Sequence, residues 1–471
     1  MADPIWKLDA HAIADLVRSG ELSAKDVLEV FAERIEQHND ELNSFVHLDF
    51  DRARADAAGV DAAVAAGDDP GPLAGVPVGI KDLEHVVGMP TTKGSVPYKD
   101  NIADRDSVQT ARLRGSGAVI VGKTHSPEFG STAFTRTYLH GTTRNPWNLE
   151  RTPGGSSGGS SSAVAAALIP IASASDGGGS IRIPASYTGL VGAKCTFGRI
   201  PKGDGPDSSY TSVAGCVSRS VRDTARYWDC VVGPHERDAH SLAHPGFSYE
   251  SVLDDVPAGL RVTWSQDLGY GTCAQEVAGI AKASADRLVA AAGLDWVDRA
   301  VELKDMSAGW ALLGSPGTWL NVRDFWPDRA EDFTPTVRAG VRMGDERYNT
   351  KEVARAIERR FENNRRLAEV FEDVDVILTP TTATTAFRAE GPMPSLIDGR
   401  EIRMMHAITF TYPFNVSLHP GISVPCGFDA EGLPVGLQIV TRRHQDHVGL
   451  QLAAAFERAQ PWPKIATAYD A

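Results

Sequence analysis

Cysteines and long hydrophobic runs are scarce in this sequence. Five cysteines occur in 471 residues, widely spaced and without a C-x-x-C pair, which argues against a disulfide framework and favours a reducing compartment. The longest strongly apolar stretch, residues 163–174, includes Pro170 and is shorter than the ~18 residues that a membrane-spanning helix needs. Because the first residues also lack a basic segment followed by an apolar one, we expect a cytoplasmic protein without a membrane partner.

An excess of basic residues is also absent. The 47 lysines and arginines are outnumbered by 61 aspartates and glutamates, which gives a formal net charge of −14. An acidic chain is poorly suited to phosphate backbones, so we expect no nucleic-acid partner. The hydrophobic fraction of 42% and the charged fraction of 23% are those of a globular protein, which excludes a disordered or fibrous chain.

Motifs for metals and nucleotides are missing or incomplete. The histidine pairs His240/His244 and His444/His447 have helical spacing, but each lies in a polar stretch without an H-E-x-x-H motif. Residues 117–124 match G-x-x-x-x-G-K-[ST], yet the four intervening residues are Ala-Val-Ile-Val, which favour a strand where a phosphate-binding motif needs a loop. The sequence therefore predicts no metal site and no cofactor.

Glycine, by contrast, is abundant. The chain has 45 glycines, about 10% of its residues against a usual ~7%, and ten of them fall between Gly154 and Gly198. One cluster, residues 151–162, reads Arg-Thr-Pro-Gly-Gly-Ser-Ser-Gly-Gly-Ser-Ser-Ser, and a second, residues 175–184, reads Ser-Asp-Gly-Gly-Gly-Ser-Ile-Arg-Ile-Pro. A flexible linker is one interpretation of this composition.

The two clusters also fit a hydrolase site. The first runs directly into an apolar helix, which brings backbone N–H groups to a helix start. Three consecutive glycines precede Ser180 and can turn N–H groups inward as an anion-binding nest, so this serine can act as a nucleophile beside its own oxyanion site. Residues 154–158 match the nucleophile elbow G-x-S-x-G, but residues 145–153 cannot form the buried strand that should precede it.

A base for this serine has to come from elsewhere in the chain, because no histidine lies near either cluster. Lys81 is the candidate. It follows the apolar run Val-Pro-Val-Gly-Ile and would lie at the end of a buried strand, where burial lowers the pKa of an amine. A structural ion pair with Asp82 or Glu84 is the alternative, and the spacing alone leaves both open.

Short apolar runs alternate with helical stretches, which predicts an α/β fold. Val76–Ile80 and Ala118–Val121 are expected to be buried strands. The third quarter of the chain is less regular and rich in aromatic residues. Its tryptophans Trp310, Trp319 and Trp326 either line an apolar pocket or pack in the core, and the sequence leaves both interpretations open.

Short stretches spread along nearly the whole chain form one further pattern. They are Leu73–Asp82, Gly122–Gly130, Asn145–Asn148, Pro153–Ser160, Ser175–Ala185, Arg219–Asp223, Phe414–Asn415, Ile422–Cys426 and Val435–Ile439. The most specific elements are the lysine, the Gly-Gly-Ser-Ser run and the Gly-Gly-Ser-Ile-Arg run in this order. In these stretches the chain closely resembles the amidase signature family of Ser–cis-Ser–Lys hydrolases. It is similar to bacterial members that act on xenobiotic amides, nylon oligomers and carbamates.

The resemblance implies a catalytic triad. Ser180 would be the nucleophile and Lys81 the base. Ser156 would be the bridging serine, held by a cis peptide bond after Gly155. In such a triad a neutral lysine takes the proton of the nucleophile through the bridging serine.

Two further groups of residues are implied around the triad. The oxyanion hole would consist of the backbone N–H groups of Gly177, Gly178, Gly179 and Ser180. The supporting residues would be Asp176 and Arg182, which brace that loop, and Ser157, which helps to fix the lysine. The resemblance implies a reaction without a metal or other cofactor.

The implied fold is a single α/β/α domain, residues 1–471, with a large, mixed, twisted central sheet covered by helices. We expect four segments within it: an N-terminal helical segment (1–70), a catalytic core (71–231), a variable substrate-facing segment (232–373) and the C-terminal part of the sheet (374–471).

The implied function is hydrolysis of linear or cyclic amides through an acyl-enzyme, with carbamate or ester side activity. The partner would be a small-molecule amide or carbamate, and the chain would be a monomer or a homodimer. The amidase subunit of a tRNA-dependent amidotransferase is the alternative function, because it shares the same fold and motifs.

The chain departs from the family pattern at three positions. His125 stands where an asparagine is common, and Cys195 and Cys216 replace prolines. None belongs to the implied triad, so we expect them to change local loops. The two cysteines are expected to be small buried residues.

Overall fold

A computed structural model describes residues 4–203, 205 and 209–470 of the chain; the first three residues of the stretch searched for a secretion signal lie outside this range. The described strands are β1 (Phe45–Leu48), β2 (Pro77–Lys81), β3 (Val119–Thr124), β4 (Arg136–Thr137), β5 (Gly141–Thr142), β6 (Ile171–Asp176), β7 (Val191–Lys194), β8 (Val213–Ser218), β9 (Arg261–Trp264), β10 (Asp295–Trp296), β11 (Val376–Pro380), β12 (Leu396–Ile397), β13 (Arg400–Glu401), β14 (Gly421–Phe428) and β15 (Pro434–Thr441).

Eleven of these strands form one sheet, in the order β1-β3-β2-β6-β8-β7-β14-β15-β11-β9-β10. β2 runs parallel to β3 and β6, and β9 runs parallel to β10 and β11. The other neighbouring pairs are antiparallel, so the sheet is mixed. The remaining strands form two small hairpins, β4–β5 and β12–β13.

Helices flank this sheet. The described ones are α1 (Ala10–Arg18), α2 (Ala24–Leu42), α3 (Phe50–Ala66), α4 (Val108–Gly115), α5 (Gly158–Ala165), α6 (Arg182–Thr188), α7 (Val221–Val231), α8 (Gln275–Ala292), α9 (Ser307–Val322), α10 (Pro335–Arg347), α11 (Thr350–Asp373), α12 (Tyr412–Val416) and α13 (Asp446–Ala459). The predicted single α/β/α domain with a large mixed sheet is therefore confirmed, while the boundaries of its four segments stay predictions. Among the described residues, no helix combines the length and apolarity needed to span a membrane.

The strands predicted from apolar runs are present. β2 and β3 cover the two predicted runs to within a residue at their starts, and every residue of both strands is buried. Residues 119–124 are strand, so the prediction that the residues inside the G-x-x-x-x-G-K-[ST] match favour a strand over a loop is confirmed.

The topology brings the two glycine-serine clusters to one edge of the sheet. β2 and β6 are parallel neighbours, so their last residues, Lys81 and Asp176, lie at the same edge. Each cluster then leads into a helix, α5 beginning at Gly158 and α6 at Arg182. Residues 152–174 are buried throughout, so the flexible-linker interpretation of the first cluster is wrong.

Candidate active site

Lys81 ends β2 in a wholly buried position. Its Nζ donates to three hydroxyls, those of Ser156 (2.8 Å), Ser157 (2.9 Å) and Ser175 (3.0 Å). Burial lowers the pKa of Lys81 to about 7, against the opposing charges of nearby carboxylates. Burial therefore favours the neutral amine, which lies within hydrogen-bond distance of Ser156 and Ser157, two serines that the resemblance implies for the site.

The alternative interpretation of Lys81, an ion pair with Asp82 or Glu84, is not found among the described residues. Asp82 forms its ion pair with Lys123, at 3.3 Å, and within the described residues no carboxylate forms an ion pair with Lys81. Lys123 is equally buried, and it also donates to the Glu84 and Pro90 carbonyls at 2.7 and 3.0 Å. Of these two buried lysines, one is neutralised by a carboxylate and the other is held by hydroxyls.

Glu84 is a second ionisable group near Lys81, in a partly buried position. Its carboxylate accepts from Ser173 Oγ at 3.2 Å and from Gln109 Nε2 at 2.8 Å, and Ser173 Oγ in turn accepts the Lys81 N–H at 2.9 Å. Burial raises the pKa of Glu84 to about 7. The sequence suggested this residue only as an ion-pair partner, but the structure makes it a neighbour whose charge acts on Lys81 through the interior.

The first cluster supplies Ser156 and Ser157. The peptide bond between Gly155 and Ser156 is cis, as the resemblance implies. Ser156 is 3% exposed and Ser157 is fully buried, so two of the three hydroxyls that contact Lys81 are shielded from water.

Ser180 lies beside this pair at the end of the second cluster. Its carbonyl accepts the Ser157 N–H at 3.2 Å, and it is partly exposed, unlike Ser156 and Lys81. The structure therefore brings together the three residues of the triad that the resemblance implies. In the described part of the chain no hydrogen bond is recorded for Ser180 Oγ, so its hydroxyl is open and not yet bonded to that of Ser156.

The carbonyl groups of the three consecutive glycines are all held. Their donors come from three parts of the chain: Trp310 Nε1 to Gly177 O (3.1 Å), Thr411 Oγ1 to Gly178 O (2.8 Å) and Ile183 N–H to Gly179 O (2.7 Å). Since a peptide group is planar, fixing a carbonyl also fixes the N–H of the next residue.

The N–H groups of this loop divide into two kinds. That of Gly179 donates to Asp176 Oδ1 at 2.7 Å, so this implied oxyanion donor already has an acceptor. Gly179 also has a φ of 128°, which side chains rarely allow. Among the described residues no acceptor is recorded for the N–H groups of Gly177, Gly178 and Ser180, which leaves three donors for a ligand.

Asp176 and Arg182 form a buried pair behind the loop. Arg182 Nε and Nη2 donate to the two oxygens of Asp176 at 2.9 and 3.0 Å, and neither side chain is exposed. Burial would raise the pKa of Asp176, but the charge and hydrogen bonds of Arg182 outweigh it and lower that pKa. Asn415 and Gln438 complete the cluster with bonds of 2.8 Å to Asp176 and Arg182, respectively.

Asn415 and Gln438 had no predicted role. Both stand in stretches that resemble the family, and Gln438 interrupts the apolar run Val-Gly-Leu-Gln-Ile-Val of β15. A fully buried amide in such a run needs polar partners. A glutamine within an apolar run was therefore the one feature of the sequence that could have indicated a role for Gln438.

The tryptophans of the variable segment lie in different surroundings. Trp310 reaches the glycine loop through its indole N–H. Trp326 packs beside the buried residues Val322 and Phe333, and Trp319 is 43% exposed.

The three departures from the family pattern lie in buried positions. His125 is held between the hydroxyls of Thr137 and Thr143, and burial lowers its pKa to about 3. Cys195 and Cys216 are fully buried free thiols, as expected for small core residues.

Metal-binding geometry occurs away from this centre. Within the described residues, the group of side chains close enough to share an ion is Asp9, His11 and Asp223. His11 Nδ1 already contacts Asp223 at 2.7 Å, and Lys464 pairs with Asp9. These contacts join α1, α7 and the C-terminal stretch, so the cluster has a structural explanation.

Comparison with known proteins gives consistent relatives. The family model described as Amidase matches residues 26–450. An acylamidase of Rhodococcus erythropolis is 36% identical over 465 residues, which cover 97% of this chain and 96% of that protein. A glutamyl-tRNA(Gln) amidotransferase subunit of a Synechococcus species is also 36% identical, over 480 residues that cover 95% of this chain and 96% of that protein. A solved bacterial aryl acylamidase of the amidase signature enzymes family has a TM-score of 0.92 and 30% identity, covering 99% of this chain and 98% of that one.

Proposed function

This chain belongs to the amidase family and is an amide-hydrolysing enzyme, and we propose that it works as a serine hydrolase with an acyl-enzyme on Ser180. The observation that carries the proposal is the environment of Lys81. A buried amine with a pKa of about 7 contacts the Ser156 hydroxyl at 2.8 Å, and Ser180 lies beside that pair. A base of this kind can accept the proton of a serine near neutral pH.

In the proposed reaction, neutral Lys81 takes the proton of Ser156 Oγ, which takes the proton of Ser180 Oγ. Ser180 Oγ then attacks the amide carbonyl. Catalytic hydrogen bonds are often absent before substrate binds, and we expect the Ser156–Ser180 bond to form at that stage. This chain of groups explains why Lys81 is held by hydroxyls rather than by a carboxylate, which would keep it protonated.

The negative oxygen of the tetrahedral intermediate would be stabilised by the loop. The N–H groups of Gly177, Gly178 and Ser180 have no acceptor among the described residues, whereas that of Gly179 is already bonded. We therefore assign the oxyanion hole to those three donors. Each such donor contributes roughly 3–4 kcal/mol to the transition state in well-studied hydrolases.

Collapse of the intermediate breaks the C–N bond. The amine leaves with the proton that Ser156 returns to it, and Lys81 restores the proton of Ser156. Water then attacks the ester on Ser180, giving up its proton along the same path, and the carboxylic acid is released. The cycle balances without a metal or redox cofactor.

For the substrate we propose a small linear or cyclic amide, with side activity on carbamates or esters. The similarity to an acylamidase and to an aryl acylamidase supports an amide with an aryl or apolar group. The amidase subunit of a tRNA-dependent amidotransferase is a second candidate, because an amidotransferase relative is 36% identical over 95% of the chain.

The test is hydrolysis by the purified chain of anilides, aliphatic amides, carbamates and esters, without tRNA or ATP. Activity on an anilide supports the hydrolase, and activity that needs tRNA and ATP supports the second candidate. Ser180→Ala should abolish turnover and acylation detected by mass spectrometry. Ser162→Ala is the matched control, because it removes a buried hydroxyl of α5 that bonds Ser44 and the Arg144 carbonyl. Full activity of Ser180→Ala would overturn the acyl-enzyme.

A further inference from the structure

We propose that Trp310 is a positioning residue, whose indole N–H orients the Gly178 N–H as a donor of the oxyanion hole. The inference rests on the proposed function, since it concerns the same hole. Trp310 lies in α9, outside the glycine-serine clusters and the catalytic core segment. Its Nε1 donates to Gly177 O at 3.1 Å.

The bond matters because of which peptide it holds. The carbonyl of Gly177 and the N–H of Gly178 belong to one planar group and point in opposite directions. A donor on the Gly177 oxygen therefore fixes the direction of the Gly178 N–H. Both flanking residues are glycines, whose backbone rotates with little steric hindrance, so this peptide group needs an external partner to keep one orientation.

The other two free donors are fixed in the same way by different partners. Asn415 Nδ2 donates to Asp176 O at 2.9 Å, in the peptide that carries the Gly177 N–H. Ile183 N–H donates to Gly179 O at 2.7 Å, in the peptide that carries the Ser180 N–H. For each of the three N–H groups, the carbonyl of the same peptide group thus accepts a hydrogen bond. The bond that fixes the Gly178 N–H comes from Trp310 in the variable segment.

Trp310 also closes the space over this peptide. A Cβ built on Gly178 would lie 2.5 Å from Cζ2 of Trp310, so the indole lies directly against the glycine. The ring stacks on Tyr412 with centroids 6.0 Å apart and an interplanar angle of 29°. Next to Tyr412, Thr411 holds the Gly178 carbonyl.

The base of α9 is anchored to the same place. Asp305 accepts the Ser307 N–H at 2.9 Å, which starts the helix, and it also accepts the Tyr412 hydroxyl at 3.1 Å. His406 Nε2 lies 3.2 Å from the same carboxylate. These bonds fix the start of α9 relative to α12. The position of the indole is therefore set by the start of its own helix as well as by the hydrogen bond of its N–H.

The test removes the indole N–H and keeps a smaller aromatic ring at position 310. Trp310→Phe should lower kcat about tenfold and leave KM within about twofold, because one neutral hydrogen bond that aligns one donor is lost. Binding of a trifluoromethyl ketone analogue of the cleaved amide, whose adduct places an oxyanion in the hole, should weaken by the same factor. A residue that only lines the substrate pocket would change KM instead.

Trp462→Phe is the matched control. Its indole N–H also donates to a backbone carbonyl, that of Arg219, at 3.2 Å, in a C-terminal stretch that the proposed reaction does not use. This variant should lower stability as much as Trp310→Phe while leaving kcat unchanged.

Two outcomes overturn the proposal: kcat and analogue binding of Trp310→Phe within twofold of the wild type, or equal kcat losses in both variants. Should Trp310→Phe not fold, benzothienylalanine at position 310 replaces the N–H by sulfur in a ring of nearly the same shape, and the same kcat loss is expected. The two proposals fail separately: a fully active Ser180→Ala contradicts the acyl-enzyme, whereas an inactive Ser180→Ala with a fully active Trp310→Phe contradicts only the role of Trp310.

Discussion

In most proteins polar side chains face water and apolar ones are buried. The segment that carries the candidate site departs from this rule by burying polar groups, and the helices α9–α11 depart from it by exposing apolar ones. In the first, residues 152–188 are almost all buried, although they include many serines and the fully buried Arg182. In the second, large apolar side chains face outward: Phe361 is 69% exposed and Ile357 is 42% exposed. Polar groups are inside in one region, and apolar groups are outside in the other.

This difference indicates which positions of each region tolerate substitution. A buried polar group needs its partner, because an unpaired one loses the full free energy of its hydration. Exposed apolar side chains contribute little to the folded state and can be replaced freely. Substitutions should therefore have large effects near the site and small ones along the outer faces of α9–α11.

The largest expected effect is on turnover, in Lys81→Met. Removing the base should lower kcat by about 10²- to 10⁴-fold, yet no carboxylate among the described residues loses an ion-pair partner. Lys123→Met is the comparison, because it leaves the buried Asp82 unpaired and should lower the free energy of unfolding by about 3–5 kcal/mol. Initial rates and urea denaturation separate the two effects. A Lys81→Met enzyme with a tenth or more of wild-type kcat would show that Lys81 is not the base.

Asp176→Asn should give the largest loss of stability within the site. It leaves the guanidinium of Arg182 buried without its carboxylate, so we expect the free energy of unfolding to fall by about 3–5 kcal/mol. Glu369→Gln removes the exposed ion pair with Arg365 on α11 and should change it by about 0.5 kcal/mol or less. Urea denaturation measures both, and equal losses would contradict the contrast between the regions.

The pH dependence should follow Lys81. Its pKa is about 7 because burial disfavours the charged form, and the protonated amine below that pH cannot accept a proton. We therefore expect kcat/KM to fall about tenfold per pH unit below roughly pH 7 and to level off above it. The charge of Glu84 raises the pKa of Lys81, so Glu84→Gln should move the acidic limb to lower pH.

Glu457→Gln provides the control for this profile. Burial also raises the pKa of Glu457 to about 7, but its carboxylate contacts the Val221 N–H and lies near Lys464. Its replacement should leave the acidic limb in place. An unchanged limb in Glu84→Gln, or an equal shift in both variants, would contradict the assigned coupling.

Lys81, Ser180 and the glycines before it could be proposed for this candidate site from local signals in the sequence, whereas Ser156, Ser157, Asp176 and Arg182 came only from the resemblance to the family. Within about ten residues each, the apolar run that ends at Lys81 predicts a buried strand and the glycines before Ser180 predict an anion-binding loop. Asn415 and Gln438 were not assigned, because they meet Asp176 and Arg182 across 239 and 256 positions. Only the topology of the sheet brings such distant residues together.

The same limit applied to the variable segment. The sequence left Trp310 as a pocket wall or a core residue, since nothing near it indicates a partner 133 positions away. The sequence also could not predict which backbone N–H groups lack an acceptor. Gly179 resembles its neighbours in sequence, and only the structure shows that its N–H donates to Asp176.

The smallest effect is expected for Phe361→Ser on α11. With 69% of its surface exposed, this side chain buries little on folding, so the free energy of unfolding should change by about 0.5 kcal/mol or less and kcat should not change. Phe371→Ser, ten positions along the same helix, replaces a ring that is 5% exposed and packs against Leu367 and Val374. It should lower that free energy by about 3–5 kcal/mol. A loss above about 1 kcal/mol for Phe361→Ser, growing with protein concentration, would mean that a second copy covers this face and that its outward apolar side chains are buried in an assembly.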